Sequence, residues 1–186
     1  MKPLMIAVAT LALVGCASTQ DEAARGAAVR AAAEAEAALD ALAGDASGRL
    51  LTYEASIAAP RPAEEVAKDP YRHPLAMLEF IDLQPGQRIA DIRPEEGYFT
   101  RLFAPVVGPE GRVYAFVPTL TAGREQGFAE GLAAEYGNVT PVIGLLDEMA
   151  FDAPLDVVFM GQEYHDFHIE RFDVDVAEMN RRVFAA

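Results

Sequence analysis

Three short stretches carry side chains whose types and spacing could do chemistry. Glu163-Tyr164-His165-Asp166-Phe167-His168 brings imidazoles, carboxylates and a phenol together. Histidine is the side chain that changes charge nearest neutral pH, so His165 suits proton transfer, and Tyr164 and Asp166 would stand beside it. A histidine that caps a helix or faces solvent satisfies the same spacing. The carboxylates and imidazoles also invite metal ligation, but no His-Glu-x-x-His pattern accompanies them and no metal is expected. Asp91-Ile92-Arg93-Pro94-Glu95-Glu96-Gly97-Tyr98 sets a carboxylate at the end of an apolar run. Asp91 either faces a bound ligand there or bonds the amides of the turn. The third stretch, Leu13-Val14-Gly15-Cys16, holds the sole cysteine.

The elements that must position these residues follow from apolar spacing. Asp69-Pro70-Tyr71-Arg72-His73-Pro74 leads into a helix with Leu75, Leu78 and Ile81 on one face. Ile89–Ile92 reads as a buried strand, and Tyr98–Val107 as a helix with Phe99, Leu102, Phe103 and Val106 inward. Strand Val113–Val117, a helix over Glu125–Tyr136, strand Val139–Ile143, strand Leu155–Met160 and a helix from Val174 to Phe184 complete the series. Strands without polar alternation, separated by helices, predict an α/β fold, a Rossmann-like doubly wound parallel sheet. In such a sheet a ligand binds beyond the carboxyl ends of the strands, where the strand order reverses. Asp91 and Glu163–His168 both fall there. Upstream, residues 21–43 are rich in Ala and Glu and predict a helical stalk ended by Gly44 and Gly48, with Ala58-Ala59-Pro60-Arg61-Pro62 as a stiff linker. The expected organisation is a leader over 1–15, a stalk and linker over 16–62, and the α/β domain over 63–186.

Composition narrows the functions open to such a chain. Fifteen Lys and Arg stand against 29 Asp and Glu over 186 residues, a net charge of −14. That balance argues against nucleic acid, which is held by clustered basic residues. One cysteine excludes an internal disulfide framework. A hydrophobic content of 52% excludes a disordered chain.

Three blocks together are similar to the class I S-adenosylmethionine-dependent methyltransferases, in particular to a group of predicted bacterial methyltransferases. They are Pro85-Gly86-Gln87-Arg88-Ile89-Ala90-Asp91-Ile92, then Gly97-Tyr98-Phe99-Thr100-Arg101-Leu102-Phe103, then Val107-Gly108-Pro109-Glu110-Gly111-Arg112-Val113-Tyr114-Ala115. Tyr164-His165-Asp166 resembles a Tyr-His-Asp stretch of the same group. The resemblance implies a donor site for S-adenosylmethionine at Asp91, Pro94, Gly97 and Tyr98. It also implies an acceptor site for an unknown small molecule at Tyr164, His165 and Asp166. The sequence departs from the family in two places. Glu95 and Glu96 stand where the group carries a glycine run, and Phe116-Val117-Pro118 has no acidic residue where ribose hydroxyls are usually held. A non-catalytic binding or scaffold protein that retains the fold is therefore the alternative. A nicotinamide-dependent dehydrogenase lacks its Gly-x-Gly-x-x-Gly.

The first fifteen residues have the charged start, apolar middle and small-residue end of a secretory signal, and are too short to span a bilayer. Leu13-Val14-Gly15-Cys16 resembles the bacterial lipobox. The resemblance implies an acylated Cys16, anchoring in a lipid bilayer, and, from Ala17, the periplasmic face of an outer membrane. An acidic body would leave that anchoring to the lipid. In the family's fold strand 155–160 lies at the centre of the sheet beside a fifth strand, and the family continues past the final helix with further strands. The expectation is a domain truncated after its fourth strand and following helix, or a partner covering the 155–160 edge.

Overall fold

The computed structural model describes residues 19–186, with side chains described from Gly26 onward except at Leu42. The leader and Cys16 lie outside the described residues. Helix α1 runs from Thr19 to Ala58 and contributes to two compact units, one ending at Ala46 and the other beginning at Ser47. Over Ala27–Ala41 its side chains are exposed, Val29 and Leu39 included. Alanine-rich sequence makes a stable helix with almost no apolar stripe to bury. The helix does not stop at the glycines, as the sequence reading had it. Gly44 and Gly48 each cost about 1 kcal/mol of helix propensity, and the turns after them carry buried anchors. Tyr53 donates from its hydroxyl to the Leu83 carbonyl at 2.8 Å, and Ser56 to the Leu102 carbonyl at 2.7 Å. The helix ends at Ala58, just ahead of Pro60, where the residue before a proline leaves the helical region.

The second unit continues through α2 (Ala63–Val66), α3 (Asp69–Arg72) and α4 (Pro74–Ile81) into strand β1 (Arg88–Ile92). Next come α5 (Thr100–Val107), β2 (Arg112–Pro118), α6 (Ala122–Glu135), β3 (Val139–Gly144), β4 (Val157–Phe159) and α7 (Val176–Ala185). All four strands are parallel, in the order β3-β2-β1-β4. This is the expected α/β Rossmann-like sheet; its fourth strand pairs with the first.

Strand periodicity divides the core between the two faces. Ile89, Val113, Ala115 and Val117 pack with Leu78 of α4, Leu102 and Phe103 of α5, Leu132 of α6 and Tyr53 of α1. Ala90, Ile92, Tyr114 and Phe116 pack on the opposite face with Phe167 and with Met179 of α7. A sheet buried on both faces needs continuous apolar strands, which is why these lack alternation. β4 is shorter than the run Leu155–Met160. Of the preceding amides, Leu155 N–H is diverted to the Ala186 carbonyl, while Asp156 N–H bonds the Arg88 carbonyl at the start of β1. β3 contains Pro141, so one of the two outermost strands brings no N–H at that point.

Candidate functional site

The switch in strand direction lies between β1 and β4, since the chain leaves β1 for β2 on one side and returns to β4 on the other. The backbone after β1 must turn sharply to enter α5. Three residues take positive φ within it, Arg93 (58°), Glu95 (52°) and Gly97 (100°). Arg93 N–H reaches back to the Phe116 carbonyl at 2.7 Å, and Gly97 N–H closes a turn on the Pro94 carbonyl at 2.8 Å. A Cβ on Gly97 would stand 2.6 Å from both terminal carbons of Leu132. That glycine is therefore required by φ and by close packing against α6.

Asp91 is 3% exposed and accepts a 2.7 Å hydrogen bond from Thr100 Oγ1. Burial pushes its carboxyl up to about 7, against the Thr100 bond and the charge of Arg72. Asp91 thus stands at the strand end and bonds the first residue of α5. Pro94 and Gly97 are buried. Tyr98 turns toward the preceding segment, its hydroxyl donating to Asp69 Oδ1 at 2.8 Å. Asp69 is in turn held by Arg61 through two bonds, at 3.1 and 2.7 Å.

Arg93 crosses the space above the strand ends. Its guanidinium bonds Glu163, which follows β4, and its Nε lies 3.4 Å from Glu125 Oε1 in the first turn of α6. Glu95 and Asp166 lie 3.6 Å from it. Burial works against the charge, but Glu163, Glu125 and Glu95 outweigh it and raise the Arg93 pKa above its ordinary value. Burial also raises the carboxyl of Glu163 above the usual range, although Arg93 opposes this. Glu125 is almost fully buried; Arg124 also pairs with its Oε1 at 2.6 Å, while its Oε2 has no hydrogen-bond partner. A cavity of about 450 Å³ opens beside this cluster, at the carboxyl ends of β2 and β3. Arg93, Arg124, Arg171, Thr121 and Asp166 form its polar side, and Pro118, Leu120, Leu146, Phe167 and Phe172 its apolar walls.

The other expected site residues are spread around this cavity. Asp166 lines it, whereas His165 stands outside with its side chain 78% exposed and Nε2 3.3 Å from Asp166 Oδ1. Tyr164 exchanges hydrogen bonds with Asn180 of α7 and sets its ring edge-on to His168. No three potential metal-binding side chains converge among the described residues. Arg93 and Glu125 were not singled out from the sequence. The available signal was a cation in the loop after the first strand of an acidic chain.

No family model matches the chain, and no curated protein matches it. Solved structures do. A SAM-dependent methyltransferase from Aquifex aeolicus aligns at 18% identity over 62% of this chain and 58% of its own, with a TM-score of 0.52. A protein-L-isoaspartate O-methyltransferase aligns at 25% identity over 46% of this chain and 27% of its own, with a TM-score of 0.41. Aeropyrum pernix fibrillarin, solved with natively bound S-adenosyl-L-methionine, aligns at 18% identity over 48% and 42%, with a TM-score of 0.38. The chain thus spans well under two thirds of the structures it matches. Its fold is that of the SAM-dependent methyltransferases, on the strength of the Aquifex aeolicus structure.

Proposed function

We propose that this chain binds S-adenosylmethionine across the carboxyl ends of β1 and β2 and directs its methyl group to a small acceptor. The observation that carries the reading is the cavity at the carboxyl ends of β2 and β3, the edge of the sheet at which open α/β folds bind ligands, with Arg93 reaching it from the end of β1. The donor set suits such a cofactor. Apolar walls from Pro118, Leu120 and Leu146 would take an adenine ring, and Arg93, Arg124 and Arg171 on the lining would suit the cofactor's carboxylate. When bound, the cofactor supplies a methyl group on positively charged sulfur, open to in-line attack. The chain's own contribution would be proximity: Gly97 sets the turn, Asp91 fixes the start of α5, and Asp166 borders the bound group. His165, exposed beside Asp166, would take up a proton only from an acceptor that reaches the rim.

A second reading has its own observation. Arg93 spans from Glu125 to Glu163, over the place where the methionine part would lie, as in a binding protein that keeps the fold without the reaction. Calorimetry with S-adenosylmethionine and S-adenosylhomocysteine separates the two. The expected result is saturable heat with both and a raised melting temperature. Absence of heat and of a thermal shift at millimolar ligand would overturn the cofactor reading. Acylation of Cys16 and residence at the cell envelope are further proposals, supported by the lipobox-like Leu13-Val14-Gly15-Cys16 alone. Intact mass of the protein purified from membranes tests them: a diacylglyceryl increment is expected, and an unmodified Met1 would overturn them.

A further inference from the structure

A second cavity, of about 320 Å³, lies on the β1–β4 side of the sheet, where Phe159, Met160, Gly161 and Gln162 leave the end of β4. Its walls are largely apolar. Phe99 and Phe159 meet edge to face at 4.7 Å between ring centres. Gly161 lies so close to both that a Cβ there would come within 2.9 Å of Phe159 and 3.3 Å of Phe99. Met77 of α4 closes the apolar side. The one cation lining this cavity is Arg72, at the end of α3.

Arg72 is held in an unusual way for an arginine of such an acidic chain. Its Cζ stands over the Tyr98 ring at 4.9 Å and the Phe99 ring at 5.5 Å. No carboxylate comes within 4.0 Å of it, and no protein acceptor takes a hydrogen bond from its guanidinium, among the described residues. Arg61 and Arg93, by contrast, are each paired with carboxylates. Stacking on two rings fixes the plane of a guanidinium and removes water from its faces while leaving its edge donors free. Such a fork matches a carboxylate in two parallel bonds.

We propose that this cavity binds a small carboxylic acid with an apolar or aromatic body, its carboxylate on Arg72 and its body against Phe99, Phe159 and Met77. The volume suits a ligand of that size, and one arginine among largely apolar walls, with Tyr71, His73 and Gln162 at their margin, is a usual pattern for orienting a small molecule. As the acceptor of a transferred methyl group, the ligand rests on the function proposed above; its binding to Arg72 does not.

The test therefore omits S-adenosylmethionine. Phenylacetate and phenylacetamide are titrated into the full chain and followed by amide chemical shifts and calorimetry. Phenylacetate is expected to perturb Phe99, Phe159 and Gly161 and to bind about tenfold more tightly than the neutral amide. Arg72→Gln should abolish that preference, and Arg72→Lys, with a charge but no fork, should retain part of it. Folding of both variants is checked by their amide spectra. Equal affinity for acid and amide, or no binding by the folded wild-type chain, overturns the proposal. So does perturbation confined to Arg124 and Arg171 around the other cavity. If Arg72→Gln weakens S-adenosylhomocysteine while phenylacetate never binds, Arg72 belongs to the donor and the proposal also falls.

Discussion

The Asp91 carboxylate lies 2.7 Å from the Thr100 hydroxyl, across the turn that joins β1 to α5, and neither residue meets solvent. Burial of this acid outweighs its bonds to Thr100 and the charge of Arg72, and raises its pKa to about 7. An unfolded chain, with a carboxyl of about 3.9, releases that proton first. Between these values the folded protein holds more protons, so the contribution of Asp91 to stability is complete below the unfolded pKa and is lost as pH rises through the folded one. Melting temperatures from about pH 5 to pH 8 should fall for the wild type and fall less for Asp91→Asn. Parallel profiles for the two proteins would refute this account.

Arg93 answers for a carboxylate that water does not reach. Replacing it by leucine leaves Glu125 buried with only the exposed Arg124 on the same oxygen. The expected loss is about 3 kcal/mol, since one member of a buried pair is removed. Urea denaturation measures it, and a change below the error of extrapolation would mean that Arg124 suffices.

Glu95 carries a left-handed backbone, φ 52°, that a side chain resists. Its ion pair with Arg93, at 3.6 Å, is partly exposed. Glu95→Gly should therefore stabilise the fold by about 0.5–1 kcal/mol, relief of strain exceeding the added chain entropy. A lower melting temperature would show the ion pair to be the stronger effect.

Gly97 reverses that logic. Alanine there meets both a φ of 100° and the Leu132 methyls at 2.6 Å. A loss of about 3 kcal/mol is expected from strain and overpacking together. Thermal unfolding of Gly97→Ala alongside a Leu132→Ala double variant separates them, because only the overpacking should be relieved.

Ser56 reports whether the last turns of α1 belong to the folded unit in solution. Ser56→Ala removes a buried 2.7 Å bond to the Leu102 carbonyl and should cost about 1 kcal/mol. No measurable change would place those turns outside the cooperative unfolding unit.

Much of this arrangement is legible in the sequence because it is local. The apolar spacing in α4, α5 and the strands reflects one partner face each, so periodicity finds them to within two or three residues. Asp91 is legible for the same reason, as a polar residue near the end of an apolar run. The continuation of α1 is not, because two glycines are local stop signals while Tyr53 and Ser56 find their partners across the chain, at Leu83 and Leu102. The Arg93 cluster is hidden more deeply. Its partners Glu125 and Glu163 are 32 and 70 residues away, and only the parallel crossovers bring them over one strand end. Acidic residues in an acidic chain read as a solvated surface until a cation is placed among them.

The two outer strands of the sheet differ in what they can accept. β3 presents Pro141, without an N–H, whereas Val157-Val158-Phe159 of β4 has an intact backbone and pairs only with β1 among the described residues. The proline removes one donor from the β3 border, so the β4 border is the better template for an added strand.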